Sequence, residues 1–295
     1  MLKNNIYCKS ALTREQLEAR KSLKKSGIEL QLLGDFEDNP LSTKEYIEIL
    51  AEIIYDIQAV HVPLKKGEEI VEIQMLDNEK ARSLFDRVCE LSQAISDING
   101  ETILIVIHNR WDVSDFNLAK NSTESIVNYL RDILIKYPSI RIGIENVVAF
   151  MNYTCMFTNG VMPNYVEVIK YLRKELNTDR VGTVLDTCHA IASLRILKLI
   201  EDYEDISFSI SLEDYFKANK DICFLVHLAN VKGLGFNINT HGIGFEEDKE
   251  LLIELVNMYN KYLSGVDITI EVGESDFIKC STYRANYDML VDIIN

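Results

Sequence analysis

Eight times along the 295-residue chain, a short β-rich apolar run is followed by a segment with helical spacing, and this alternation limits the fold more than any other feature. The runs are Ile6–Ser10, Ile28–Asp35, Ile57–Leu64, Ile103–Asn109, Ile140–Val147, Val181–Cys188, Cys223–Val231 and Asp267–Gly273. The helical segments are Thr13–Lys25, Ser42–Tyr55, Asn78–Ile95, Ser122–Lys136, Asn164–Leu176, Ser193–Tyr203, Glu246–Tyr262 and Ser281–Ile294, rich in good helix formers. Thr13 with Gln16, and Ser122 with Ser125, stand where N-caps are expected. Ile103-Leu-Ile-Val-Ile107 is apolar on both strand faces, as a parallel sheet covered by helices demands. No Gly/Pro/Ser-rich linker separates two halves, and no Gly-x-Gly-x-x-Gly opens a helix after an early strand, which argues against an open doubly wound sheet. The expected fold is a closed (β/α)8 barrel, with residues 1–295 as one domain.

A chain of this length buries enough surface to fold without disulfides or a structural metal. Its six cysteines are scattered without a close pair, so they read as reduced and mostly buried, and any metal is expected to do chemistry. The longest apolar runs, of which Ile103 to Ile107 is one, fall far short of the roughly 20 residues that cross a bilayer, and the first residues lack an apolar secretory core. The expectation is a soluble, cytoplasmic protein that does not engage membranes. Thirty-one basic against 46 acidic side chains give a formal charge of −15, which disfavours nucleic acid as a partner. Acidic ligands that hold divalent cations count as negative in this sum, although the bound cation neutralises them. The basic stretch from Lys3 to Lys25 reads as the solvated face of the first helix.

Polar side chains fall where such a barrel places its chemistry, at the C-terminal ends of the strands. The third run carries His61, the fourth His108, the fifth Glu145, the sixth Asp186 and then His189, the seventh His227 and the eighth Glu271. A carboxylate or imidazole after four apolar residues is costly to bury alone, and one shared cation offsets that cost for all of them. Of the five histidines, four lie at or just past strand ends, and the fifth, His241, lies in the loop after the seventh run. This mixture of His, Asp and Glu suits zinc, with manganese or cobalt as alternatives where oxygen ligands dominate. Cys188, between Asp186 and His189 on a strand end, reads as structural. Trp111, next to Arg110 in the loop after His108, is placed either to stack on a sugar ring or to anchor the loop.

At these residues the chain resembles the xylose isomerase-like superfamily of (β/α)8 barrels, which includes sugar and sugar-phosphate isomerases and epimerases and the endonuclease IV (AP endonuclease family 2) nucleases. The resemblance rests on Val184-Leu-Asp-Thr-Cys-His-Ala190, His227-Leu-Ala-Asn-Val-Lys232, Asn239-Thr-His241 with Ile243-Gly244, Glu145-Asn146 and Ile270-Glu-Val272. It implies that Glu145, Asp186, His227 and Glu271 are the ligands of one divalent ion, with Glu145 and Glu271 also moving protons. On the nuclease branch it implies a second zinc on His61 and His108, bridged by Glu145, and a third on His189, Asn239 and His241. The chain departs there, because that family has aspartate where Asn239 stands.

Two reactions follow from the resemblance. In an isomerase or epimerase, the ion grips adjacent oxygens of a ketose while Glu145 and Glu271, on opposite sides of the mouth, remove and return the proton beside the carbonyl. The substrate is then a small sugar or sugar phosphate, with His189, Arg110, Trp111 and Lys232 as candidate contacts. In a nuclease, metal-bound hydroxide attacks phosphorus at an abasic site in DNA. That reaction needs a basic face, whereas the loop Gly34-Asp-Phe-Glu-Asp-Asn39 and Glu68-Glu69 put acids at the mouth. The expectation is therefore the isomerase or epimerase, with the zinc phosphodiesterase as the alternative.

Overall fold

The computed structural model describes residues 5–34, 36, 41–66, 69–109, 116–148, 163–204, 209–233 and 240–294. Eight parallel strands close a barrel: β1 (Ile6–Ala11), β2 (Gly27–Gln31), β3 (Ile57–His61), β4 (Ile103–His108), β5 (Ile140–Glu145), β6 (Val181–Asp186), β7 (Cys223–Leu228) and β8 (Asp267–Ile270). Each strand pairs with its neighbours in sequence, and β1 pairs with β8 to complete the cylinder. Around it lie α1 (Arg14–Lys21), α2 (Thr43–Leu50), α3 (Glu79–Asn99), α4 (Phe116–Lys136), α5 (Pro163–Leu176), α6 (Thr187–Glu204), α7 (Leu212–Asn219), α8 (Lys249–Tyr262) and α9 (Ser281–Ile294). This is the (β/α)8 barrel expected from the alternation. Among the described residues, no helix is long and apolar enough to cross a membrane.

The double-faced apolar strands now have a cause. In β4, Ile103, Ile105 and Ile107 pack outward into the main core shared with the helices. Leu104 and Val106 point inward, where they meet Tyr7, Ala59, Val184 and Leu225 in a separate apolar plug. Because side chains alternate along a strand, the next inward position after the plug lies at the mouth. Two residues beyond Ala59, Val106, Val184 and Leu225 stand His61, His108, Asp186 and His227.

Between β6 and β7 the register shifts at Thr183/Val184, which sets Asp186 level with His227. Such a bulge re-aims the residues that follow it. Gly182 permits the close approach just before the shift, since a Cβ there would lie 2.5 Å from the Ile222 carbonyl oxygen and 2.6 Å from the Phe224 ring. Gly182→Ala is therefore expected to cost about 1–3 kcal/mol by overpacking, read as a lower urea midpoint. A midpoint equal to that of the wild type would show that the strands can part without penalty.

The structure corrects several boundaries. The sixth run ends as a strand at Asp186 and not at Cys188, because Asp186 Oδ1 accepts the His189 backbone N–H at 2.7 Å and so caps α6. Cys188 and His189 thus sit in the first turn of that helix, which starts at Thr187, six residues before the expected Ser193, and the buried Cys188 Sγ accepts the Gly242 N–H at 3.4 Å. The second, third, fifth, seventh and eighth runs also outlast their strands by two or more residues; Leu32, beyond β2, is apolar because it enters the core as a loop residue. Thr13 caps α1 as expected. Ser122 is no cap, since α4 begins at Phe116 and runs through it. Helix α7 was not expected, although Ser211 and Asp214 form a full capping box at its start.

The N-terminal basic stretch is also not a plain solvated face. Arg20 is buried, donating to the Lys9 and Phe277 carbonyls and to Cys280 Sγ. Lys25 pairs with Asp56 at 3.1 Å, and Lys9 points from β1 into the mouth.

Candidate metal centre

Two groups of metal-capable donors meet at the C-terminal mouth. Glu145, Asp186, His227 and Glu271 bring one donor atom each within 4.8 Å of one another, and so do His61, His108 and Glu145. Glu145 belongs to both. Its Oε2 lies 3.1 Å from His61 Nε2, 3.5 Å from His108 Nε2 and 3.5 Å from His227 Nδ1. Glu145 and Glu271 stand three strands apart round the barrel, not diametrically opposite, and their oxygens reach a common centre.

Neighbouring groups aim these side chains. Asn146 clasps the end of β6, accepting the Asp186 backbone N–H at 2.7 Å and donating to its carbonyl at 3.0 Å. His61 is held at both ring nitrogens, Nδ1 lying 2.9 Å from the Val62 carbonyl and Nε2 3.1 Å from Glu145 Oε2. His189 uses Nδ1 on the Asn146 carbonyl at 2.7 Å. It stands outside both groups, with its ring centroid 4.8 Å from that of His241.

Three buried atoms of the four-residue group, Asp186 Oδ2, His227 Nδ1 and Glu271 Oε2, have no hydrogen-bond partner. His227 Nδ1 and Glu271 Oε2 approach to 2.5 Å without making one. Uncompensated buried carboxylate oxygens are costly, and two of them beside an imidazole nitrogen form a donor set that suits a divalent cation. The residues present therefore fit a metal.

Electrostatics agree. Burial alone pushes carboxyl pKa values up, yet the charge of His227 and hydrogen bonds from His189 and His227 hold Glu145 well below the usual range, and Lys9 and His227 do the same for Glu271. Asp186 goes the other way, to about 6, raised by burial and then by the nearby Glu145 and Glu271. Burial, with His61 and His189 adding to it, lowers His108 to about 3, the neutral form that a metal ligand needs. His189 rises to about 9, because Asp186 and Glu145 outweigh its burial.

Two side chains the sequence reading missed complete the site. Glu29, fully buried on β2, lies 2.9 Å from His227 Nε2 and accepts the Thr269 hydroxyl at 2.7 Å. Lys9 donates to Glu271 Oε1 and sits 3.6 Å from Glu29 Oε1. The available signal was one charge inside each of two apolar runs, Cys8-Lys9-Ser10 and Ile28-Glu29-Leu30.

Of the remaining expected contacts, Lys232 is exposed and pairs with Glu247 at 2.6 Å. It lines a separate cavity of about 710 Å³ with Arg195, Gly273 and Thr282. Arg110, Trp111 and Asn239 lie outside the described residues, as do residues 35, 37–40 and 68 of the acidic loops.

No family model and no curated sequence matches the chain. Among solved structures, a D-tagatose 3-epimerase-like protein aligns over 98% of this chain and 99% of its own, with 14% identity and a TM-score of 0.59. The likeness is one of fold, a closed eight-stranded (β/α)8 barrel. Such a barrel is also found in the zinc-bound IOLI protein, with 16% identity, 98% and 96% coverage and a TM-score of 0.59. The 3-keto-D-glucoside 4-epimerase YcjR from E. coli aligns over 99% of both chains, with 13% identity and a TM-score of 0.57.

Proposed function

We propose that the protein is a divalent-metal-dependent isomerase or epimerase acting on a small sugar or sugar phosphate. The observation that carries this reading is the convergence of Glu145, Asp186, His227 and Glu271 at the barrel mouth, with three of their buried donor atoms unpaired. These four residues would hold the cation, and zinc suits the two-element His and carboxylate set best, with manganese or cobalt as alternatives. When bound, the cation supplies Lewis-acid polarisation of neighbouring substrate oxygens.

The chain itself supplies the proton transfer. Glu145 and Glu271 are both held in the carboxylate form by adjacent cationic side chains, the form a base needs at neutral pH. One, as the carboxylate, would take the proton from the carbon next to the carbonyl, and the other, once protonated from solvent, would deliver a proton from a different side. The apolar plug of Leu104, Val106, Val184 and Leu225 closes the barrel beneath them and excludes water from below.

One observation favours a second reading. The additional group of His61, His108 and Glu145, with the adjacent His189 and His241 rings, would extend one ion into a cluster suited to phosphodiester hydrolysis. Against it stands the formal charge of −15, since a DNA-binding face is basic. The deciding experiment offers the metal-loaded protein a panel of ketoses in deuterated water and, separately, a duplex with one abasic site. Deuterium at the carbon next to the carbonyl, with the duplex uncut, is the expected result. Strand cleavage at catalytic concentration, abolished by a chelator, would replace the first reading with the second.

A further inference from the structure

Fully buried at the centre of the site, His227 has carboxylates on both ring nitrogens: Glu29 Oε2 lies 2.9 Å from Nε2, and Glu271 Oε2 lies 2.5 Å from Nδ1. Without a metal the surrounding carboxylates favour the cationic ring; as a metal ligand the imidazole is neutral and carries one proton, and the hydrogen bond made by one nitrogen decides which nitrogen is left to bind the metal. Only the Nε2 contact is a hydrogen bond; Nδ1 has no partner. With the proton on Nε2, His227 donates to Glu29 and turns its Nδ1 lone pair toward Glu145, Glu271 and the unpaired Asp186 oxygen. With the proton on Nδ1, the Nε2 lone pair would face the buried Glu29 carboxylate across 2.9 Å with no cation to offset the repulsion, whereas a cation held by the four-residue group offsets the matching approach of Nδ1 to Glu271.

Glu29 is itself braced. Its Oε2 also accepts the Thr269 hydroxyl from β8 at 2.7 Å, and its Oε1, which has no hydrogen-bond partner, faces the Lys9 ammonium at 3.6 Å. Lys9 donates in turn to the far oxygen of Glu271, leaving Glu271 Oε2 toward His227 Nδ1. Two residues outside the ligand set thus aim two within it.

We propose that Glu29 is a positioning residue: it locks His227 in the Nε2–H tautomer and so presents Nδ1 as the metal-binding nitrogen, with Lys9 keeping both Glu29 and Glu271 in place. The inference rests on the four-residue group holding a cation, and the test separates the two. Wild-type protein and Glu29→Gln, an isosteric change that removes the charge, are stripped with a chelator and titrated with Zn²⁺ against a chromophoric competitor. The histidine ring nitrogens of zinc-loaded wild type are read by 15N NMR, where five histidines give a short spectrum.

The expected results are zinc bound by wild type through His227 Nδ1 with Nε2 protonated, and affinity at the tightest site weakened by roughly 10- to 100-fold in Glu29→Gln. Equal affinity in the variant, or zinc on Nε2 in wild type, overturns the assignment of Glu29 and leaves the metal centre standing. Wild type that takes up no zinc overturns the metal centre instead, before any variant is compared. Should Glu29→Gln fail to fold, the wild-type spectrum decides alone.

Discussion

Asp186→Ala is expected to abolish tight binding of a divalent cation, and with it all turnover. Asp186 divides its carboxylate: Oδ1 caps α6 through the His189 N–H, and Oδ2 is buried without a hydrogen-bond partner among the other donors, 3.6 Å from His189 Nδ1. Alanine deletes both functions. The lost cap costs about 1 kcal/mol of stability, whereas the lost anionic ligand removes one of the four donors on which the ion depends. Asp186→Asn separates the two effects, since its amide oxygen can still cap the helix while its charge is gone. Metal content after dialysis, measured by elemental analysis, is the readout, and His227→Ala should behave as Asp186→Ala does. Unchanged stoichiometry in either alanine variant would sink the four-residue assignment.

The second large effect is on proton transfer. Glu145→Gln and Glu271→Gln should fold normally and lose turnover by about 10²- to 10⁴-fold, because an amide can still touch an ion but cannot exchange a proton. Glu145→Gln should be the more severe. Its oxygens face His61, His108, His189 and His227 at once, so the substitution disturbs both donor groups, whereas Glu271 belongs to one. The measurement is solvent deuterium incorporation at the carbon next to the carbonyl of the best ketose, wild type against variants. Wild-type exchange rates in both would show that neither glutamate is the base.

The sequence made the barrel legible because strands such as β4 and β6 are apolar on both faces and alternate with helix-forming segments, a pattern imposed by two concentric layers of packing. The inward-facing polar residues at the strand ends were legible for the same reason: His108 after Ile103-Leu-Ile-Val-Ile107 breaks a run that nothing else interrupts. Strand ends were less so. Leu32 is as apolar as a strand residue yet sits in a loop, and the run through Cys188 hides a helix whose first turn is fixed by a hydrogen bond from Asp186. Lys9 and Glu29 stayed hidden because their partners are remote in sequence. His227 lies 198 residues from Glu29, and Glu271 lies 262 from Lys9; only closure of the sheet brings them together. A single charge in an apolar run shows that a partner must exist without saying where.

That closure also governs when the site can exist. His61 and His108 are synthesised early, but Glu271 follows the last strand, and its brace, Lys9, sits on the first. A nascent chain, or an intermediate in which β8 has yet to dock on β1, holds a partial donor set and no braced Glu271. On the proposed reading, loading of the ion would be a late event in the life of each molecule, and a bound ion should resist the peeling of β8 from β1. Protease nicking near the β8 junction, slowed when the ion is present and fast when it is chelated, would be the cellular signature of a cofactor that records completed assembly.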